Sequence, residues 1–263
     1  MMTPEQRYWF DLTGYLHLKQ VLERDELRAA QAAVDRYVTT PPDDLPSGFE
    51  HDDKDPRRYV HGFAFDPALE ALTHHPSIWP IVKELTNNKP RLVSGTLTVN
   101  HPHVADEVLR LHCARDDYGW ESVRYQIQNG RIYCDDIVVF PYLTDVYPGD
   151  GGLLVVPGSH KAAFERPPTM FNNGVVEDEL PPGVLNITPR AGDILIITEA
   201  LTHGALPWRP RDRSRQFLVL RYKPQYRGQE HYVPETVRGR LSAETQELLS
   251  FAHYTHTKQI VCE

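Results

Sequence analysis

A series of short strand-like segments in the middle of the chain restricts the possible folds more than any other feature. In residues 91–100, RLVSGTLTVN, valine and leucine alternate with serine and threonine at the two-residue period of a half-buried strand. Four more apolar runs follow, YCDDIVVFPYL, GGLLVVP, GDILIITEA and QFLVLRYKP, separated by turn signals rich in proline, glycine or charge. Many short strands without alternating helices predict a β-sandwich or a jelly roll.

Helical patterns flank these strands on both sides. The segment ELRAAQAAVDRYV has apolar residues at spacings of three and four, which form one face of a helix: Leu27, Ala30, Val34 and Tyr37. A shorter helix is predicted around residues 76–85, and SAETQELLSFAHY predicts another near the C-terminus. Residues 39–58, between the first two helices, are rich in proline and aspartate and predict a long loop.

These patterns predict a single, mainly β domain over residues 1–263. We expect a mostly helical flank at 1–90, a jelly-roll core at 91–226 and a helical extension at 227–263. A chain of this length fits one all-β domain. Its hydrophobic fraction of 40% is ordinary for a globular protein, so the core is expected to form without disulfides or a structural metal.

Charge and cysteine content argue against several classes of partner. The 28 basic and 36 acidic residues give a net charge of −8, so no basic surface is expected for nucleic acid. The three cysteines, Cys113, Cys134 and Cys262, are too few and too widely spaced for a disulfide framework and suit a reducing compartment. No signal peptide or membrane-spanning run is recognisable. We expect a cytoplasmic protein that binds neither nucleic acid nor membranes.

Three of the thirteen histidines stand next to predicted strands. His112 ends the apolar segment VLRLH, and His203 follows the strand GDILIITEA at the start of the turn THGALPW. His160 lies in the turn PGSHK, where we expect it to bond backbone groups and to have a structural role. Metal sites in jelly rolls take ligands from strand ends that face the barrel interior, so His112 and His203 are the candidate ligands.

Three ordered blocks make the chain similar to a known family. GDGGLLVVPGSHK (149–161), AGDILIITEALTHG (191–204) and RSRQFLVLRY (213–222) resemble the phytanoyl-CoA dioxygenase family of Fe(II)- and 2-oxoglutarate-dependent enzymes, as does the N-terminal DLTGYLHLKQVLERDEL. The resemblance implies a double-stranded β-helix core of the cupin-like type. It also implies the cofactors Fe(II), 2-oxoglutarate and O2.

The resemblance assigns roles to three residues. His112 corresponds to the proximal iron ligand, His203 to the distal ligand, and Arg215 to the residue that binds the remote carboxylate of 2-oxoglutarate. Imidazole suits Fe(II), and an arginine fork matches a carboxylate. Arg213 and Arg221 are alternatives to Arg215, but strand periodicity favours Arg215 because Phe217 shares its face.

The chain departs from the family pattern at one ligand. The family motif is His-x-Asp, whereas this sequence has His112-Cys113-Ala114 and therefore lacks the carboxylate. Halogenases of the superfamily have alanine or glycine at this position, which leaves room for a halide on the metal. Our first hypothesis is thus a halogenase that binds chloride beside Ala114, with a weak resemblance to halogenases of nucleoside-antibiotic pathways. Cys113 and Cys134 are interpreted as buried packing residues.

Three alternatives rank behind the halogenase. A displaced aspartate would give an ordinary hydroxylase, and the candidates are Asp116, Asp117, Asp135 and Asp136. A non-catalytic jelly-roll binding module comes after the hydroxylase in our order of preference. A zinc-dependent cupin enzyme is the third alternative.

Substrate residues are predicted near the metal ligands. Tyr118, Trp120 and Arg124 lie in the loop after His112, and Trp208 follows His203. Aromatic rings with an arginine suit a small molecule that carries a planar base and a phosphate, such as a nucleotide. The alternative is an amphipathic loop without a binding role. The segment DDKDPRRYVHGF (52–63) is a candidate lid or a solvated charged run.

Overall fold

The computed structural model describes residues 1–102, 104, 109–117, 124–167, 169–170, 180–227 and 233–253. Twelve strands form within this part of the chain: β1 (Tyr15–Leu18), β2 (Arg58–Tyr59), β3 (Pro90–Asn100), β4 (Leu109–His112), β5 (Tyr125–Gln128), β6 (Arg131–Cys134), β7 (Ile137–Pro141), β8 (Gly152–Val155), β9 (Leu185–Asn186), β10 (Ile194–Thr198), β11 (His203–Leu206) and β12 (Arg215–Pro224). It also contains seven α-helices: α1 (Pro4–Thr13), α2 (Arg24–Thr39), α3 (Pro67–Glu70), α4 (Trp79–Leu85), α5 (Ala114–Asp117), α6 (Glu235–Arg238) and α7 (Ala243–Leu249).

Two antiparallel sheets form the core of the molecule. The larger has six strands in the order β1-β10-β7-β12-β3-β2, and the smaller has four in the order β4-β11-β8-β9. Strands β5 and β6 form a separate hairpin. Sheet neighbours are distant in sequence, as when β10 pairs with both β1 and β7. This mainly β architecture with flanking helices confirms the predicted jelly-roll class.

Apolar residues alternate between two cores across the six-stranded sheet, because successive side chains of a strand point to opposite faces. On β10, Ile194 and Ile196 pack on the helix side, while Leu195 and Ile197 pack between the sheets. Strand β12 follows the same rule, with Leu218 on the helix side. The sheet is therefore buried on both faces, which explains its nearly continuous apolar sequences.

The helices cover the outer face of the six-stranded sheet. In α2, the buried residues are Ala30, Ala33, Val34 and Tyr37, which matches the predicted apolar face. Helix α1 begins at a capping box formed by Thr3 and Gln6, and it ends at Gly14, where φ is +82°. Phe10 of α1 joins the same core as α2. The helices therefore cover the outer face of the larger sheet, and the face that points towards the smaller sheet remains available for a ligand.

The structure differs from the predicted boundaries in three places. Strands β1 and β2 come from the region predicted as a helical flank, yet both pair within the six-stranded sheet. Residues 203–206, predicted as a turn, form β11 in the smaller sheet. The C-terminal helix ends at Leu249, earlier than the pattern predicted. No helix in the described ranges has the length and apolar character needed to cross a membrane.

Candidate active site

A cavity of about 300 Å³ lies between the two sheets. Strands β3, β7 and β12 supply one wall, and β4, β8 and β11 supply the other. The polar side chains in its lining include His112, Glu199, His203, Arg215 and Arg221. A mostly apolar cavity with a few convergent polar groups is the usual form of a small-molecule site.

His112 and His203 face each other across neighbouring strands. They are register partners in the antiparallel pair of β4 and β11, and their ring centroids lie 4.4 Å apart. Strand β4 ends at His112 and β11 begins at His203, so both rings stand at strand ends. The structure thus brings together the two histidines that the sequence selects as metal ligands.

Equivalent hydrogen bonds at Nδ1 fix the same tautomer in the two imidazole rings. Nδ1 of His112 lies 2.7 Å from the carbonyl oxygen of Arg110, and Nδ1 of His203 lies 2.8 Å from that of Leu201. Because a carbonyl oxygen only accepts, each Nδ1 carries the proton, and in the neutral ring Nε2 carries the lone pair. Burial lowers the pKa of His203 and favours its neutral form. Both rings are suited to bind a metal through Nε2.

Arg215 supplies a buried positive charge in the same cavity. It begins β12 and lines the cavity together with Phe217, as the strand periodicity predicts. Its Nε donates a 2.9 Å hydrogen bond to Oδ1 of Asn100. The guanidinium carbon lies 5.1 Å from the ring centroid of Phe217 and 5.7 Å from that of Trp208. Since a guanidinium stays charged when buried, this arrangement suits the binding of a carboxylate.

The two alternative arginines have other partners. Arg213 forms an ion pair with Asp150 and is absent from the cavity lining. Arg221 lines the cavity, but its guanidinium bonds the carboxylates of Glu199 and Asp136. Both arginines are therefore held by acidic side chains, whereas Arg215 donates to a neutral amide.

A glycine allows Arg215 to approach the smaller sheet closely. Gly152 has a φ of +89°, and a Cβ atom at this position would lie 2.6 Å from Nη1 of Arg215. Gly152 is the register partner of Leu206 on β11, three residues beyond His203. Because Nη1 of Arg215 lies beside Gly152, the guanidinium is level with Leu206. Three residues of β11 separate Leu206 from His203, which corresponds to about 10 Å along the strand. A short dicarboxylate fits between these two points.

Ala114 is buried outside the cavity. It is 0% exposed and packs with Ala200 and Tyr125, and its side chain is absent from the cavity lining. Its N–H donates a 2.8 Å hydrogen bond to the carbonyl oxygen of Glu199. Cys113 is buried beside it, as expected. The geometry thus gives no direct sign of the open halide position predicted at Ala114.

Three of the aspartates considered as substitute ligands have described side chains, and these three do not line the cavity. Asp116, Asp135 and Asp136 are each held in ion pairs by arginine or lysine side chains, and none of the three lines the cavity. The side chain of Asp117 lies outside the described part of the chain. A displaced aspartate ligand therefore stays a prediction, which the ion pairs and the cavity lining do not favour for the three described side chains.

The carboxylate beside the histidine pair belongs to Glu199, which the sequence patterns did not single out. Its Oε1 lies 3.9 Å from Nε2 of His203 and accepts a 2.9 Å hydrogen bond from Arg221. Burial acts to raise the pKa of Glu199, but interactions with His203 and Arg221 outweigh burial, so the pKa lies below its ordinary value. Glu199 is therefore a carboxylate at neutral pH.

Comparison with protein-family models matches residues 10–216 to the phytanoyl-CoA dioxygenase family, PhyH. The chain belongs to the phytanoyl-CoA dioxygenase family. The matched region contains the two histidines of the cavity and Arg215. No curated protein sequence matches the chain significantly.

Solved structures agree with this family assignment. HygX from Streptomyces hygroscopicus, with nickel and 2-oxoglutarate bound, is 26% identical, covers 98% of each chain and gives a TM-score of 0.71. The 2-oxoglutarate-dependent carbocyclase SnoK from nogalamycin biosynthesis is 20% identical over 92% of this chain and 91% of its own, with a TM-score of 0.60. EctD from S. alaskensis is 17% identical over 88% and 80%, with a TM-score of 0.65. The likenesses to SnoK and EctD support the fold alone.

The substrate residues predicted for this phytanoyl-CoA dioxygenase family member have different outcomes. Tyr118 and Trp120 lie outside the described residues. The Arg124 side chain is 46% exposed, faces Asp135 and does not line the cavity. Trp208 is buried, and its Nε1 donates to the carbonyl oxygen of Arg213, so it packs behind Arg215 rather than forming the cavity surface.

Two structural predictions for residues outside the site agree with the fold. His160 is buried, its Nε2 lies 3.1 Å from the carbonyl oxygen of Asp11, and its ring packs edge-on against Tyr125. Cys134 is buried beside Thr198. Both residues have the packing roles that the sequence indicates for this family member.

The segment predicted as a lid contributes to the cavity mouth. Arg57 and Arg58 line the cavity together with Asp55, because β2 pairs with β3 and brings this segment over the opening. Arg57 is held by two short hydrogen bonds to Asp55. The Arg58 side chain is 52% exposed, and its nearest ion-pair contact, to Asp52, is a long one of 3.9 Å. The mouth of this family member's cavity is therefore charged and carries an accessible arginine.

Proposed function

We propose that the protein is an Fe(II)- and 2-oxoglutarate-dependent oxygenase that oxidises a C–H bond of a small molecule. The observation that carries this proposal is the histidine pair. His112 and His203 direct equivalent ring nitrogens into a cavity that also contains the Arg215 guanidinium. HygX, which is 26% identical over nearly the whole chain, binds nickel and 2-oxoglutarate.

The residues of the cavity fit both cofactors. His112 and His203 would hold the metal, since a neutral imidazole fixed through Nδ1 is a common ligand for Fe(II). Arg215 would bind the far carboxylate of 2-oxoglutarate in a buried, water-poor part of the cavity. When bound, the iron and 2-oxoglutarate supply the oxidising chemistry with O2. The protein binds, orients and shields the reacting groups.

Chlorination of the same C–H bond is a second candidate function. The observation that favours it is Ala114, which stands where the family motif has the aspartate ligand. Chloride would then be a further cofactor. The position of the Glu199 carboxylate beside the histidines argues for oxygenation instead, because an anionic side chain there repels a halide.

A substrate with an anionic group fits the cavity mouth. Arg58 is exposed at the mouth and is able to pair with a phosphate or carboxylate. We therefore propose a nucleotide as the first substrate class to test. HygX has been crystallised with hygromycin B, which makes that compound the comparison ligand.

The function is tested by anaerobic titration of Fe(II) and 2-oxoglutarate, followed through their charge-transfer absorption band. We expect a band in the wild-type protein that chloride does not shift. Adding nucleoside monophosphates or hygromycin B to this complex should perturb the band if either class binds near the metal. Exposure to O2 with the bound compound should then yield succinate and an oxygenated product.

Each contrary result has a specific meaning. Absence of the band would contradict the oxygenase proposal and favour a binding module. A band that chloride shifts, followed by a chlorinated product, would establish the second candidate. Perturbation by hygromycin B but by none of the nucleotides would exclude the nucleotide class.

Replacing Gly152 with alanine is expected to weaken 2-oxoglutarate binding about tenfold and to leave metal affinity unchanged. The added Cβ would displace Nη1 of Arg215. Isothermal titration of 2-oxoglutarate into the nickel-loaded protein measures this effect. Gly149→Ala is the matched control, since Gly149 has a φ of +92° and a Cβ atom added there would meet no other atom within 4 Å. Equal losses in both variants would assign the effect to backbone strain.

A further inference from the structure

We infer that Glu199 supplies the carboxylate that the segment His112-Cys113-Ala114 lacks, so that His112, His203 and Glu199 together hold the metal ion. This inference rests on the proposed function, because it concerns the metal site of the same cavity. It assigns the third ligand to the strand-turn-strand segment that contains His203, rather than to the segment after His112.

Chain geometry brings Glu199 to the histidine pair. Strand β10 ends at Thr198 in the larger sheet and β11 begins at His203 in the smaller one, and a turn closed by a hydrogen bond from the Leu201 N–H to the Thr198 carbonyl oxygen connects them. Residues four apart in an extended strand are separated by about 13 Å, whereas Oε1 of Glu199 lies 3.9 Å from Nε2 of His203. The Glu199 side chain, which is 6% exposed, lines the same cavity as both histidines.

The backbone around Ala114 fits this substitution. The N–H of Ala114 bonds the carbonyl oxygen of Glu199, so the two segments touch where the family aspartate would stand. Ala114 packs against Ala200, the neighbour of Glu199. A larger side chain at position 114 would compete for space with this segment. We therefore explain Ala114 and Glu199 together: the carboxylate ligand is lost at position 114 and supplied from position 199.

A buried ion-pair network holds the glutamate near the metal position. Arg221 donates to Oε1 of Glu199 at 2.9 Å and to Oδ1 of Asp136 at 3.0 Å. Metal-binding carboxylates are commonly oriented by such second partners. Asp136 is fully buried, also contacts Lys223 and does not line the cavity, so Arg221 has a second, buried carboxylate partner. The network has the arrangement expected of support for a ligand.

Metal binding requires a small movement of the glutamate. Among the described residues, no three His, Cys, Asp or Glu side chains already stand close enough to share a metal ion. Nitrogen and oxygen ligands about 2.1 Å from a divalent metal lie about 3 Å apart when they are at right angles. The 3.9 Å separation between Glu199 and His203 is thus about 1 Å too long. A rotation of the Glu199 side chain about its own torsions closes such a gap.

Metal affinity of two variants tests this ligand assignment. Glu199→Gln removes the anionic ligand, and Asp136→Asn removes the other carboxylate that Arg221 bonds. We expect Glu199→Gln to lower affinity for Co(II) or Fe(II) more than about 100-fold, because changes in supporting residues already cost about 10- to 100-fold. Asp136 supports Glu199 only through Arg221, so Asp136→Asn should lower this affinity by about tenfold, the lower end of that range. Anaerobic calorimetry gives both values, and circular dichroism checks that each variant folds.

The outcomes separate this inference from the proposed function. Tight metal binding by wild type and equally tight binding by Glu199→Gln would overturn the ligand role of Glu199 and leave the oxygenase proposal intact. Equal losses in both variants would make Glu199 a member of the ion-pair network only. A wild-type protein that binds no metal would overturn both proposals.

A second measurement does not depend on the stability of Glu199→Gln. The charge-transfer band of wild type with Fe(II) and 2-oxoglutarate should not respond to chloride, because the carboxylate occupies the halide position. The band of Glu199→Ala should respond, since that variant opens the position. A chloride-dependent band in wild type would contradict the assignment of Glu199 as a ligand.

Discussion

Replacing His203 with alanine is expected to abolish 2-oxoglutarate turnover and to lower metal affinity more than about 100-fold. His203 is the best-placed candidate ligand in the cavity, because the residue is 6% exposed and its neutral ring is fixed through Nδ1 by the Leu201 carbonyl. The variant also removes the partner of Glu199 and His112. Anaerobic calorimetry with Fe(II) measures the affinity, and succinate formation measures the turnover.

A control histidine separates loss of a ligand from loss of stability. His17 lies on β1 at the edge of the six-stranded sheet, where its Nε2 lies 2.7 Å from Asp193. His17→Gln removes an imidazole from the same fold without touching the cavity, so metal affinity should be retained. Normal metal affinity in the folded His203→Ala variant would refute the proposed metal site.

The periodicity of the sequence was sufficient to predict the fold class. Strand β3 and helix α2 are long enough for several repeats of their periods, and the structure forms both where the pattern predicts them. Strands β1 and β2 have four and two residues, too few to establish a period. They form the two edge strands of the larger sheet because they pair with β10 and β3. This tertiary pairing is not visible in the local sequence pattern.

The residues of the candidate site could be predicted where the alternation of a strand determines which side chains face the cavity. Arg215 faces the cavity because it shares the inward face of β12 with Phe217, and an alternating strand allows that inference from the sequence. The sequence patterns did not point to Glu199, because two side chains four residues apart in a continuous strand lie about 13 Å from each other. The available signal was the run TEALTH, in which the acidic residue Glu199 precedes the candidate ligand His203 by four positions. Its meaning depends on the turn between β10 and β11.

Replacing Arg215 with methionine is expected to weaken 2-oxoglutarate binding at least about 30-fold, with metal affinity unchanged. Methionine retains apolar contact with Phe217 and Trp208 but removes the charged fork. Loss of one partner of a buried charge-assisted pair costs about 2–5 kcal/mol, and the lower end of that range corresponds to this loss of affinity. Titration of 2-oxoglutarate into nickel-loaded protein measures the change, and metal titration verifies the site.

Arg213→Met is the matched control for this variant. Arg213 is two residues earlier and carries the same charge, but it pairs with Asp150 outside the cavity lining. Its replacement should leave 2-oxoglutarate affinity within about twofold, because neither Arg213 nor Asp150 lines the cavity. Arg215→Lys adds a sharper comparison, since lysine keeps the charge and loses the bidentate geometry. If Arg215→Lys binds 2-oxoglutarate as tightly as wild type, the fork is unnecessary, and charge alone explains recognition of the carboxylate.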